Sequence, residues 1–312
     1  MKIPLLMIVR SKVALTDLTM NGFYIFFKIS RQGFHQAVTR LKQIDAMMKQ
    51  VSEKVKSYRR INDRRAGSRT LYYNLGIKEQ YNIGITKFEQ LMSKYELSLQ
   101  PLRIRIVTTK SCNQSWNYKN LCNGLTINRF SQLVVGDITY VSLGKNRYYL
   151  FCLIDAFSLR IVGYCLSTRM RKQEAIAALS MLIKLRGESQ LKKCIHHTDG
   201  GGQYFSGSYL KLLSEKEMRV SVAQNCLENG LAEQKNGYIK NHLLPTVKLN
   251  NPDNLSNEID RIMHFYNHQR KQAELNWKSP VEYEEYVAKS NKKLYVRLHD
   301  FESKIASETK RF

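Results

Sequence analysis

Residues 196–240, HHTDGGGQYFSGSYLKLLSEKEMRVSVAQNCLENGLAEQKNGYIK, decide the fold of this chain. Residues 193–197 read as a short apolar strand, and Asp199 follows at its end. Glycines 200–202 then let the backbone turn sharply and let a large ligand come close. Residues 219–222 form a second short strand. Asn225 and Asn229 offer turn or cap chemistry ahead of a helix predicted over 227–242, with Glu233 in its first half.

Upstream, residues 133–141 (LVVGDITYV) read as a buried, β-branched strand with a single acid, Asp137, in the middle. Burying a carboxylate there is costly unless it is paired or binds a metal. If the strands of Asp137 and Asp199 are neighbours, a helix across their ends brings Glu233 to the same point. Three hard oxygen ligands suit Mg²⁺ or Mn²⁺, and two such ions about 3.5–4 Å apart are suited to phosphoryl chemistry. Each acid alone has a plainer reading: a paired structural aspartate, or an Asp-Gly turn. Their order and flanks favour the site.

Strands are predicted at 148–155 and 161–166, with a helix at 172–185. Three strands joined by short turns make a meander, and the later alternation of strand and helix adds parallel neighbours. The expected class is α/β, a mixed sheet with flanking helices. Asp155 reads as a turn residue rather than a ligand. His196 points away from the site by strand alternation and reads as packed. His264 and His268 are spaced i, i+4, but no third ligand or general-base glutamate accompanies them, which favours a solvated or DNA-facing helix.

The chain of 312 residues is long enough for two or three small domains, and its 43% apolar content describes a folded chain. Lysine and arginine total 50 against 26 acids, so the net charge of +24 points to a polyanionic partner. Residues 1–130 hold 23 of the cations and 7 of the acids, and form the stronger electrostatic handle. Cys112, Cys122, Cys152, Cys165, Cys194 and Cys226 have no CxxC pairing and read as reduced thiols. The opening MKIPLLMIVR is too short an apolar run for a span and lacks a convincing cleavage site, so no membrane association is expected.

Residues 32–48 have helical spacing after Ser30, a candidate N-cap. Residues 51–65 read as a basic stretch, and 71–97 as two helices joined around 81–86, the second capped by Thr86. A tight helical pair with a basic lead-in suits DNA contact. Arg59, Arg60, Arg64, Arg65, Arg103 and Arg105 are the candidate phosphate contacts. The plainer reading is a basic scaffold or a docking surface for another subunit. Residues 101–130 carry no acid and read as a linker that tracks a phosphate backbone.

GDITYV, IDAFSLRIVGY, HTDGGGQY and ENGLAEQKNGYIK together resemble the successive motifs of DDE transposases in the retroviral-integrase superfamily, most closely the OrfB type of insertion-sequence family 3. The resemblance runs from about Phe23 to Val287. It implies a ribonuclease-H-like core, catalytic and metal-binding roles for Asp137, Asp199 and Glu233, and a DNA-binding role for Lys240. Seven residues separate Lys240 from Glu233, which puts both on one helical face. His197 matches the residue before the family's Thr/Ser-Asp pair, where it supports the second acid or contacts phosphate. KISRQGFHQAVTRLK resembles a helix-turn-helix remnant, and NLCNGLTINRF the lead-in to the core. FYNHQRKQAELNWKSPVEYEEY resembles the closing motif, in which Arg270 is expected to reach phosphate. Lys271 and Gln272 replace the usual Pro-His. Between Asp199 and Glu233 lie 33 residues, two fewer than the family's usual spacing, and Glu228 is a rival third ligand.

The organisation expected is a helical DNA-binding region at 1–100, a basic linker at 101–130, the catalytic core at 131–245, bracing helices at 246–290 and a tail at 291–312. The expected activity is cleavage at element ends and 3′-hydroxyl strand transfer, with two Mg²⁺ or Mn²⁺ ions. Partners would be double-stranded DNA at element ends and target, further copies of the chain on DNA, and an OrfA product. The setting would be the bacterial cytoplasm, at the nucleoid when bound to DNA. The alternatives are a catalytically silent DNA-binding relic or regulator, and a hydrolase of hybrids, against which the basic N-terminal third argues.

Overall fold

The structure is a computed structural model that describes residues 21, 24–25, 28–100, 118–143, 146–223, 226–247, 254–290 and 296–297. Arg103, Arg105 and most of the 101–130 linker and the 291–312 tail lie outside the described residues. The strands are β1 (Thr126–Ile127), β2 (Leu133–Leu143), β3 (Asn146–Asp155), β4 (Ile161–Ser167), β5 (Ile195–Thr198), β6 (Arg219–Val222) and β7 (Val296–Arg297). Five of them form one sheet in the order β4-β3-β2-β5-β6, while β1 pairs with β7. β2, β3 and β4 run antiparallel as a meander, and β5 and β6 add parallel to β2. This is the ribonuclease-H-like mixed sheet.

The helices are α1 (Arg31–Ile61), α2 (Ser68–Asn74), α3 (Ile77–Tyr81), α4 (Ile85–Lys94), α5 (Lys172–Arg186), α6 (Glu188–Leu191), α7 (Gly207–Glu215), α8 (Gly230–Tyr238), α9 (Leu255–His268) and α10 (Pro280–Lys289). The period-two alternation of β2 sends Leu133, Val135 and Val141 to one face of the sheet and Val134 and Ile138 to the other. The second face is covered by α5 and α7 through Ala175, Leu179, Leu182, Tyr209 and Leu213. α5 lies so close to β4 that a Cβ on Gly163 would stand 2.1 Å from the Ala178 carbonyl oxygen. Only glycine permits that approach.

The first face is covered by α8, α9 and α10, and the same apolar cluster continues without a break into α1, α2 and α4. α1 begins at Ser30, whose side chain accepts from Gly33 N at 3.0 Å. It does not stop near residue 48. Met48, Val51, Val55 and Tyr58 continue one buried stripe, so the basic stretch expected at 51–65 is, as far as Ile61, the last turns of this helix. The expected helical pair at 71–97 is three helices, because Gly76 turns the chain left-handed at φ +59° between α2 and α3. Gly84 rather than Thr86 occupies the cap position of α4.

α10 closes the core through a buried ionic network. Asp155, fully buried, accepts from Ser131 N (2.6 Å), Phe157 N (3.0 Å) and Ser158 N (3.1 Å), and pairs with Arg186 at 3.2 Å. Arg186 also pairs with Glu284, which takes Arg160 at 2.6 Å and the Ser158 hydroxyl at 2.7 Å. Burial opposes ionisation of Glu284, but Arg186 and Ser158 overcome it and hold its pKa below the ordinary value. Asp155 is thus a structural acid.

Candidate active site

Asp137 sits in β2 opposite Cys152 of β3. Its neighbour Gly136 pairs with Thr198 of β5, so Asp199 leaves its strand beside Asp137. A Cβ on Gly136 would meet Leu153 at 3.0 Å, Thr198 at 3.2 Å and His196 at 3.4 Å, so the bare backbone lets these strands close up next to the acid. Asp199 is exposed and accepts from Gly201 N at 3.2 Å, within the glycine turn.

α8 lies along β2 on two asparagines one heptad apart. Asn229 donates to the Gly136 carbonyl at 3.1 Å, and Asn236 donates to Asp137 Oδ2 at 2.9 Å. The 3₁₀ turn Cys226–Asn229 precedes α8, so Glu233 falls in its first turn and is exposed. Burial, with the charges of Asp199 and Glu233 and against the Asn236 and Ile138 hydrogen bonds, pushes the Asp137 pKa up to about 6. The Glu233 pKa is likewise raised, by burial and then by Asp199. Glu228 accepts from Asn120 Nδ2 at 2.6 Å and acts on His197 and Cys122. The structure therefore brings Asp137, Asp199 and Glu233 within electrostatic reach of one another. Among the described residues no three His, Cys, Asp or Glu stand close enough to hold a metal ion.

The expected cations divide into two groups. Arg59 donates to the carbonyls of Ala66 (2.9 and 3.2 Å) and Leu97 (2.8 Å), and Arg65 donates to Gln100 O at 2.8 Å. These two hold the turns of the helical region together. Arg270, expected at phosphate, stacks over Tyr238 at 3.8 Å beside Tyr266. Its Nε is buried with no hydrogen-bond partner among the described residues. Arg60, Arg64 and Lys240 are exposed. Lys240 lies in a π turn, Ile239–Leu243, rather than in a regular second α-helical turn after Glu233.

His197 is buried, with Nδ1 2.8 Å from the Ser221 hydroxyl, which accepts from Leu121 N at 2.8 Å. Burial lowers its pKa, so it props the strand of Asp199 as a neutral ring. His196 is packed against Tyr204 and Tyr209, as its strand position predicts, with its pKa pushed down to about 3 by burial. Two features escaped the sequence. Asn236 was hidden among polar helix residues, and its only signal is the seven-residue spacing from Asn229. Asp63 was hidden in a basic run. It is buried, accepts from Tyr238 Oη and from His242 Nδ1 (3.0 Å), and so clasps the N-terminal helices to the π turn behind Glu233.

A five-stranded mixed sheet in the order β4-β3-β2-β5-β6 with helices on both faces is the architecture of the integrase core. The "Integrase core domain" family matches residues 128–225. The chain is 32% identical over 157 residues to an "Uncharacterized transposase-like protein" of Haemophilus influenzae, covering 47% of this chain and 68% of that one. It is 31% identical over 162 residues to "Transposase InsF for insertion sequence IS3A" of Escherichia coli K12, covering 49% and 54%. It is also 30% identical over 158 residues to "Insertion element IS600 uncharacterized 31 kDa protein" of Shigella sonnei, covering 50% and 57%. The chain belongs to the insertion-sequence transposases of the retroviral-integrase superfamily. It spans somewhat more than half the length of most of these relatives. No helix among the described residues is long and apolar enough to cross a membrane.

Proposed function

We propose that the chain catalyses divalent-metal-dependent DNA strand cleavage at element ends and transfer of the freed 3′-hydroxyl, with Asp137, Asp199 and Glu233 as the catalytic acids. The observation that carries this reading is the placement of Asp137 on β2 beside the end of the strand that leads into Asp199, under the helix that carries Glu233 and that gives Asp137 a neutral amide as side-chain partner. The three acids as placed do not form a group that holds a metal, but a cation drawn in among them would relieve the repulsion of their charges, and carboxylate oxygens suit Mg²⁺ or Mn²⁺. Two such ions would supply an activated attacking oxygen and charge neutralisation at the leaving one.

The chain's own groups do the rest. Asn236 orients the Asp137 carboxylate, and Asn229 fixes the carbonyl of the preceding residue. Glycines 200–202 leave room for a phosphodiester beside Asp199. Arg60, Arg64 and Lys240 offer exposed charge to the backbone of double-stranded DNA, and the excess of 23 cations over 7 acids in residues 1–130 supports the same partner. Further copies of the chain and an OrfA product are proposed partners at the element ends.

The test is cleavage of an end-containing duplex with and without Mg²⁺, using Asp137→Asn, Asp199→Asn, Glu233→Gln and Glu228→Gln. The first three should lose cleavage at least a hundredfold while retaining DNA binding, and Glu228→Gln should remain active. An active Glu233→Gln beside an inactive Glu228→Gln would move the third role to Glu228. DNA binding by the unaltered chain without cleavage under any metal would assign the silent DNA-binding alternative.

A further inference from the structure

β5 accompanies β2 only as far as Gly136, so, among the described residues, 137–143 of β2 pair with β3 alone and leave one edge open. On this stretch stands Tyr140, whose side chain is 58% exposed. Its cross-strand partner is Tyr149, with ring centroids 5.2 Å apart at 59°. The Tyr140 hydroxyl reaches Met170 Sδ at 4.0 Å, and Met170 is itself 38% exposed. The Met170 carbonyl accepts from Gln203 Nε2 at 3.3 Å, and Gln203 belongs to the turn that carries Asp199. An aromatic and thioether ledge is therefore attached to both aspartate-bearing segments. Tyr140 stands three positions along the strand from Asp137, about 10 Å at 3.3 Å per residue.

Arg147, Arg169, Arg171 and Lys172 are exposed around the ledge. The acid on this side, Glu174, accepts from Arg171 N at 3.0 Å and from the Ser167 hydroxyl at 3.3 Å. We infer that this ledge binds an unpaired nucleotide of a DNA strand, its base stacked on Tyr140 against Met170 and its phosphates facing the arginines. Aromatic faces rimmed by cations are the recurring solution for single-stranded nucleic acid, and stacking tolerates any base. An apolar protein partner would have to desolvate the surrounding guanidinium groups. Asp137 and Tyr140 point to opposite faces of β2, so the bound strand would cross its open edge and leave the nucleotide beyond the scissile phosphate out of the duplex stack. The inference deepens the proposed function and rests on that reading of the acids.

The experiment uses the full chain in EDTA, so that no chemistry contributes, with two probes: a thymidine oligonucleotide carrying one central 2-aminopurine, and a blunt duplex of equal length. Tyr140→Ala should weaken binding of the single strand roughly 5- to 150-fold and remove the 2-aminopurine quenching, with duplex binding changed less than twofold. Tyr140→Phe should retain both, which separates loss of stacking from loss of fold. Equal losses on the two probes, or no loss on either, would overturn the inference. A change in oligomeric state with unaltered single-strand binding would do so as well, by making the ledge a contact between copies. Metal-dependent cleavage with an unaltered Tyr140→Ala would sink the ledge alone, and single-strand stacking with fully active acid variants would sink only the catalytic assignment.

Discussion

Asp137 carries a carboxyl whose pKa rises from 3.8 in the unfolded chain to about 6 in the folded one, by burial first and then by Asp199 and Glu233. The folded state therefore holds the proton more tightly, and stability is lost as the pH climbs from below 3.8 through 6. That interval corresponds to about 3 kcal/mol at neutral pH. Asp137→Asn should raise the stability of the metal-free protein by up to about 3 kcal/mol at pH 7.5 and leave it unchanged near pH 3. Denaturant unfolding in EDTA at the two pH values checks the sign, and an equal gain at both would exclude a titration origin. A lone acid in a β-branched run is conspicuous because burial makes it expensive, so Asp137 was legible from the sequence. Asn236, a neutral residue on a helix, gave no such contrast. Arg59, Arg65 and Arg270 were misleading for a related reason: a basic residue reads the same whether its guanidinium faces solvent, binds backbone carbonyls or stacks on a tyrosine.

The sheet strands were legible nearly to their ends, since β-branched runs bounded by turn residues leave little choice of period. The end of α1 was not. Its last turns carry Arg59 and Arg60 beside the buried Val55 and Tyr58, and charge concealed the apolar stripe. This division of α1 predicts unequal arginines. Replacing the exposed Arg60 and Arg64 with glutamine should lower the salt slope of DNA binding by about one log unit per lost contact, with little change in stability. Arg59→Gln should instead lower the melting temperature and leave the slope alone, because its hydrogen bonds are internal. A filter-binding salt series with parallel thermal melts distinguishes the two. At β4, Gly163→Ala should cost about 3 kcal/mol in denaturant unfolding, as its methyl would drive α5 off the sheet. An unperturbed variant would mean that the helix can shift freely.

In the whole molecule, N-terminal helices, sheet and closing helices share one apolar cluster, and Asp63 ties them at the back of the site. Burial opposes ionisation of Asp63, but the hydrogen bonds from His242 and Tyr238 prevail and depress its pKa. Its contribution is therefore present above the unfolded carboxyl pKa and fades as the pH falls through the lower folded value. Asp63→Asn should destabilise the protein by about 3 kcal/mol at pH 7 and progressively less toward pH 2, read from chemical unfolding across that range. The sequence foretold helices before a core but not their fusion, because which apolar stripes meet is a property of the tertiary fold. The clasp also joins distant parts of the chain: Asp63 and His242 are 179 residues apart, and Arg261 donates to the Ile61 carbonyl across 200. Such contacts close late, since loop entropy must be overcome before they form. During synthesis at about 5–20 residues per second, some ten to forty seconds separate emergence of the basic α1 from that of its anchor in α9. For that interval a nascent chain carries its cationic α1 without the α9 anchor, so the time for which that helix stands unfastened is set by translation speed.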